Sequence, residues 1–166
     1  MDWRITRGRA LGDPLFREHG KQVAALCWRA SDKGGAEILL ITSLNSKRWI
    51  LPKGWLMEGL TLAESAAREA FEEAGVAGKI GGKPIGCYHY LKEKKDGGGV
   101  PCRVDVFALQ VTAQMEEWPE KGAREIAWLP LEQAAVRVSE PGLRELLRNF
   151  SKTHKSKQPV AAKRVG

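Results

Sequence analysis

From Thr61 to Gly75 the chain writes one helix whose faces make opposite demands, and any fold it adopts has to meet both. Ala63, Ala66, Ala67, Ala70 and Ala74 recur at helical spacing beside Leu62 and Phe71, giving a narrow apolar stripe of small side chains. Such a stripe predicts close packing against a sheet or another helix. Glu69, Glu72 and Glu73 share a different face: at 100° per residue, Glu72 lies about 60° from Glu69 on one side and Glu73 about 40° on the other. Like charges at these spacings cost about a few tenths of a kcal/mol per pair on a bare helix, and no lysine is interleaved to relieve them. A hard divalent cation offsets that repulsion, because magnesium takes a few carboxylate oxygens and completes its shell with water and substrate phosphates. Taken alone, the triplet also fits a solvated acidic face. Arg68, four residues before Glu72, is placed to hold a carboxylate from outside a metal shell. Thr61 and Glu64 have the spacing of a capping box, and Gly75 is placed to end the helix in the left-handed conformation.

Around this helix the pattern is that of a mixed α/β chain. Gln22–Arg29 and Glu37–Leu44 are apolar, β-prone runs split by the turn-like Ser31–Gly35, which predicts a hairpin. Trp49–Pro52 reads as a short extended piece that ends at proline. Ile85–Glu93 and Cys102–Thr112 read as longer strands joined by the polar loop Lys94–Gly99, and Ala123–Leu129 as one more strand. Leu131–Val138 and Leu143–Phe150 read as C-terminal helices separated by Pro141-Gly142. This order predicts a mixed sheet with helices on its faces rather than repeated βαβ units. One domain is expected over residues 21–150, with an extension over 1–20 and a basic, disordered tail over 151–166.

The net charge of +7 is mostly terminal: Ser151–Gly166 carries five basic and no acidic residues, and the first nine residues carry +2, which leaves the body close to neutral. Nucleic-acid contact is therefore expected only through the tail. No apolar run is long enough to span a membrane, and Met1–Gly12 has no apolar core of the secretory kind. Cys27, Cys87 and Cys102 sit in apolar, strand-like stretches without ligand spacing, so they read as buried free thiols in a reducing, cytoplasmic setting.

The segment Gly54–Val76 resembles the Nudix box, Gly-x5-Glu-x7-Arg-Glu-U-x-Glu-Glu-x-Gly-U, where U is bulky and apolar. Gly54, Arg68, Glu69, Glu72, Glu73, Gly75 and Val76 match in register. At roughly 7% per residue type, six fixed positions agree by chance about once in 10⁷ registers. Two positions depart: Leu60 stands where the first box glutamate belongs, and Ala70 is small for its site. Glu58, two residues from Leu60, is a candidate substitute. The resemblance implies an α/β/α sandwich with a mixed sheet. It also implies a pyrophosphohydrolase that uses Mg²⁺ or Mn²⁺ to attack a phosphorus of a phosphoanhydride, with Gly54, Glu69, Glu72 and Glu73 around the metal and Arg68 in support. The general base in such enzymes is either a box glutamate or a glutamate from a later loop; the loop candidates here are Glu116, Glu117, Glu120 and Glu125, with Glu120 favoured because it sits beside Trp118-Pro119 ahead of a strand.

Three further stretches, Gln22–Leu26, Arg48–Trp55 and Val104–Phe107, resemble the branch that holds diphosphoinositol polyphosphate and diadenosine polyphosphate hydrolases. That implies a densely anionic small-molecule substrate, for which the expected cations are Arg29, Arg48, Lys53 and Arg103, with Lys47, Lys92, Lys94 and Lys95 as further candidates. Trp49 and Trp55 bracket the Pro-Lys-Gly turn and are placed to stack on a base, whereas Trp28, Trp118 and Trp128 read as packing residues and His89 as structural. Two other readings stay open: a non-catalytic ligand-binding module of the same fold, and an RNA-directed pyrophosphohydrolase working through the tail. Members of this family are often homodimers, and no residue here marks an interface.

Overall fold

Val23–Cys27 is apolar on both sides of a strand, and a strand of that kind has to be covered on both faces. The computed structural model, which describes residues 20–157, does this. The elements run β1 (Gly20–Ala30), β2 (Ala36–Thr42), β3 (Trp49–Ile50), β4 (Lys53–Trp55), α1 (Leu62–Ala74), β5 (Val76–Ile80), β6 (Gly86–Glu93), β7 (Gly99–Gln114), β8 (Ile126–Pro130), α2 (Leu131–Arg137) and α3 (Pro141–Lys157). All eight strands join one mixed sheet. Its centre is the parallel pair β1 and β7, in register from Gly20 opposite Cys102 to Trp28 opposite Gln110. The other edge of β1 is shared: its start pairs with β4, Val23 opposite Gly54, and its end with β2, Trp28 opposite Ile38. β8 closes the far side of β2, and β6 and β5 divide the outer edge of β7 between them.

Helix α1 covers one face. Ala63, Ala66, Ala70 and Ala74 are buried against Val23, Ala25, Cys27, Phe107 and Leu109, the close packing that the small side chains predict. Helices α2 and α3 cover the other face through Ala134, Ala135, Leu143 and Leu147, packed on Ala24, Leu26, Val104 and Val106. The result is the expected α/β/α sandwich. Thr61 caps α1, its Oγ1 accepting from the Glu64 amide at 3.1 Å. Gly75 ends it at φ 70°, and a Cβ there would also meet Trp118 at 2.4 Å. Gln114 Nε2 donates to the carbonyls of Ala74 and Gly75 at 3.2 and 3.1 Å, satisfying acceptors that a helix end leaves open.

Several expectations need correction. β5 is absent from the sequence reading, because Val76–Ile80 is a five-residue strand with no alternating pattern. The last strand begins at Ile126 rather than Ala123, since residues 119–124 form turns. Pro141 starts α3 rather than separating helices, in the first-turn position where a missing N–H costs nothing. The helix then runs to Lys157, through the first part of the stretch expected to be disordered, and Ser151 is buried. The apolar stripe Leu143, Leu146, Leu147, Phe150 continues one step further than its basic composition suggests. Residues 1–19 and 158–166, including the basic positions Lys163 and Arg164, lie outside the described residues. Cys27 and Cys102 are buried, but Cys87 on β6 is exposed. Among the described residues, no helix is long and apolar enough to cross a membrane.

Candidate active site

Pairing of β4 with the start of β1 lays Gly54 beside α1, and the Glu69 carboxylate fills the space its missing side chain leaves. A Cβ on Gly54 would stand 2.2 Å from Glu69 Oε1. One turn along α1, Glu73 is almost fully buried at 5% exposure. Its Oε1 accepts from the Lys53 amide at 2.8 Å and its Oε2 pairs with Arg124 at 2.7 Å. Glu120 comes from the β7–β8 connection, where its amide donates to the Glu72 carbonyl at 3.0 Å. Its Oε1 meets the same Arg124 guanidinium at 3.2 Å. Glu69, Glu73, Glu120 and Arg124 line one cleft of about 450 Å³, together with Gly54, Lys53, Trp55, Arg48, Gln22, Tyr90 and Lys92.

The electrostatics of this cluster are unfavourable as it stands. Burial, then the charges of Glu73, Glu72 and Glu120, push the Glu69 carboxyl up to about 8, against a smaller pull from Arg124. Burial pushes Glu73 up to about 7, opposed by Arg124 and the Lys53 amide. Glu72 and Glu73 also occupy the last turn of α1, which carries no basic residue. Carboxylates at a helix C-terminus face the negative end of its dipole. Burial, mutual repulsion and dipole therefore all oppose ionisation here, and Arg124 offsets them only in part. The oxygen-only donor set suits Mg²⁺ or Mn²⁺. Among the described residues no three acidic, histidine or cysteine side chains stand as a group able to enclose an ion by themselves. Both oxygens of Glu73 and one of Glu120 are engaged by protein donors.

The opposite wall of the cleft is cationic. Lys53 Nζ donates to the Tyr90 hydroxyl at 3.0 Å and lies 3.5 Å from Gln22 Oε1, to which Tyr90 also donates. Burial lowers its pKa to about 8, with Lys92 adding to the effect and Glu73 opposing it. Lys92 Nζ sits 4.4 Å above the Trp55 ring. Arg48 lines the cleft but is paired with Glu140 at 3.1 Å.

Other expected residues fall elsewhere. Arg29 is at the far end of β1, paired with Glu37 and 4.0 Å over Trp128, outside the cleft. Arg103 points away from it, since strand alternation puts Arg103 on the face opposite Cys102, where it pairs with Asp105. Arg68 and Glu72 form an exposed pair at 3.0 Å on the rim and do not line the cleft. Glu58 is exposed on the turn before α1 and Leu60 is half-buried beside it; neither lines the cleft. Lys47, Lys94, Lys95, Glu116, Glu117 and Glu125 are exposed and outside it. Trp49 packs on the core with Arg137 5.5 Å from its ring, so it offers no stacking face to the cleft. Trp28 and Trp128 pack on the core as expected. Arg124, Tyr90 and Gln22 are missed by the sequence reading. Arg124 stands four residues after Glu120, an opposite-charge spacing that could have flagged it; Gln22 is a lone polar residue opening an apolar strand. A larger cavity of about 770 Å³ lies between α3 and β5–β7. Its walls bring no cluster of carboxylates together, unlike those of the smaller cleft.

The family model described as NUDIX domain matches residues 20–150. Nudix hydrolase 16, mitochondrial, of Arabidopsis thaliana is 32% identical over 155 residues, covering 84% of this chain and 86% of that protein. Diphosphoinositol polyphosphate phosphohydrolase 3-alpha of Mus musculus is 33% identical over 117 residues, 69% of this chain and 66% of that one. The match to Nudix hydrolase 12, mitochondrial, of Arabidopsis thaliana is 38% identical but spans only 50% of that protein. Among solved structures, a C. elegans Ap4A hydrolase binary complex superposes with a TM-score of 0.61 at 24% identity, over 82% of this chain and 98% of that one.

Proposed function

The chain belongs to the Nudix family of pyrophosphohydrolases, and on that premise we propose that it hydrolyses the diphosphate bond of a densely phosphorylated, diphosphoinositol polyphosphate-type small molecule with the help of Mg²⁺ or Mn²⁺. The observation that carries this is the bipolar cleft: Glu69, Glu73 and Glu120 on one wall, Lys53 and Lys92 on the other. The acidic wall is where a divalent ion would be held, by Glu69, Glu73 and Glu120 with the Gly54 carbonyl, and Glu72 at the rim adds negative charge. When bound, such an ion neutralises phosphate oxygens and lowers the pKa of its water.

The remaining work falls to the chain's own groups. Glu120 has one oxygen engaged by Arg124, which would leave the other to accept the proton of the attacking water. Arg68 holds Glu72 at the rim. Lys53, set by Tyr90 and Gln22, grips a phosphate that is not the one attacked. Lys92 lies across the Trp55 ring, so a cation already covers the face on which a base would stack. That favours a phosphate-rich polyol over a dinucleotide. The name of the mouse relative points the same way.

The test is a substrate panel with Mg²⁺: diphosphoinositol polyphosphates, diadenosine polyphosphates and ADP-ribose, on wild type and Lys53→Met. A charge-assisted contact is worth about 1.5–3 kcal/mol, so the variant is expected to raise KM for the diphosphoinositol substrate roughly 10- to 100-fold, with a smaller change in kcat. Turnover of ADP-ribose alone, or an unchanged KM in Lys53→Met, would overturn the substrate reading.

A further inference from the structure

We infer that Arg124 is a positioning residue for the reaction: it fixes the carboxylates of Glu73 and Glu120 to each other, so that a glutamate from α1 and one from the β7–β8 connection act as one ligand set. This rests on the metal-dependent reading above and adds to it a residue that the box motif does not contain.

The geometry is specific to a guanidinium. Nη2 lies 2.7 Å from Glu73 Oε2 and 3.2 Å from Glu120 Oε1, and Nη1 donates to the Thr42 carbonyl at 3.0 Å. One planar group therefore ties α1, the β7–β8 connection and the end of β2 together, which a lysine's point charge on a flexible stem cannot do. The side chain is only 8% exposed. Its Nε is buried with no hydrogen-bond partner. Burying a guanidinium with one donor unmet is unfavourable unless its other donors carry charge-assisted bonds, and here they carry two. The backbone on either side is pinned as well. The Thr42 amide donates to the Glu125 carbonyl at 3.1 Å, and the Glu125 amide to Thr42 Oγ1 at 2.9 Å. Thr42 itself is 1% exposed. Nearer α1, the Met115 amide donates to the Gly75 carbonyl at 2.7 Å, and the Glu120 amide to Glu72 at 3.0 Å.

These anchors divide the labour. Main-chain bonds dock the connection on the C-terminal end of α1, and the Arg124 pairs tighten that docking. Arg124 sets where the Glu120 carboxylate points. A group that orients a metal ligand from behind is worth about 10- to 100-fold in metal affinity or activity.

The test uses Arg124→Met, which keeps the stem and removes the fork, and Arg124→Lys, which keeps the charge and guards against a Met variant that does not fold. Mn²⁺ binding is followed by electron paramagnetic resonance, amide exchange is read across residues 115–125, and KM and kcat are measured with a diphosphate substrate. Arg124→Met is expected to bind Mn²⁺ about tenfold more weakly, to lower kcat with KM changed less than about twofold, and to exchange the Glu120 amide faster, with Arg124→Lys intermediate. Glu120→Gln should reproduce the metal loss, and the double variant should add little to it. A purely structural arginine would lower the melting temperature but leave Mn²⁺ affinity and kcat of the folded protein at the parent values, and that result overturns the inference. Additive losses in the double variant overturn it too. A parent protein that binds no Mn²⁺ contradicts the metal reading instead; the positioning of Glu120 is then judged on amide exchange, and unchanged exchange in Arg124→Met overturns it.

Discussion

Glu69→Gln is expected to lower Mg²⁺-dependent diphosphate hydrolysis by roughly a thousandfold while leaving the fold intact. Metal-borne charge stabilisation is worth several kcal/mol in the transition state, and each ~1.4 kcal/mol is a factor of ten in rate. The substitution keeps the shape that fills the space at Gly54 and removes only the charge. Glu69 is the carboxyl most strongly opposed by its surroundings, through burial and through Glu73, Glu72 and Glu120. Removing its charge relieves repulsion as pH rises through about 8, so the melting temperature of the metal-free protein should hold near neutral pH and rise above the parent's in alkali. A variant that loses activity and stability together would instead mark Glu69 as a structural residue. Steady-state kinetics and a thermal melt in EDTA are the two measurements needed.

Gly54→Ala is expected to cost at least about a hundredfold in kcat with a small effect on folding. The new Cβ would stand 2.2 Å from Glu69 Oε1 and 2.3 Å from its carboxyl carbon, so the carboxylate has to move. The end of a side chain can yield without dragging the sheet with it, and Gly54 stays paired with Val23 whatever its side chain. A displacement of about 1 Å at a reacting centre costs on the order of 100-fold. The glycine is thus required by the approach of a carboxylate and not by a backbone angle. Mn²⁺ affinity should fall together with kcat, and wild-type kinetics in Gly54→Ala would show that Glu69 works from another position.

What could be read from the sequence, and what could not, follows from the range of the interactions. The cap at Thr61, the left-handed stop at Gly75 and the alanine stripe are local, and each stands where its residues require. The two walls of the sandwich followed from periodicity in the same way. Glu120 was singled out by its place before a strand, and the fold brings it to Glu73 through a shared arginine. Arg29 and Arg103 show the opposite case. Both are cations on the central strands β1 and β7, but a strand's alternation and length decide which end and which face a side chain occupies, and composition holds neither. Tyr90 and Gln22 lie 68 positions apart and meet only because β1 and β6 flank β7. The helix from Pro141 to Lys157 ran past its expected end because burial of Ser151 follows the stripe, while the eye follows the lysines.

The most direct test of the central claim is hydrolysis of a diphosphoinositol polyphosphate by the wild-type chain, followed by phosphorus-31 NMR, first in EDTA and then with Mg²⁺ added back in excess. No turnover is expected with the metal removed and full recovery when it returns, because Glu69, Glu73 and Glu120 are gathered in one cleft where burial and mutual repulsion oppose their ionisation more than Arg124 relieves it. Hydrolysis at the same rate in EDTA would contradict it.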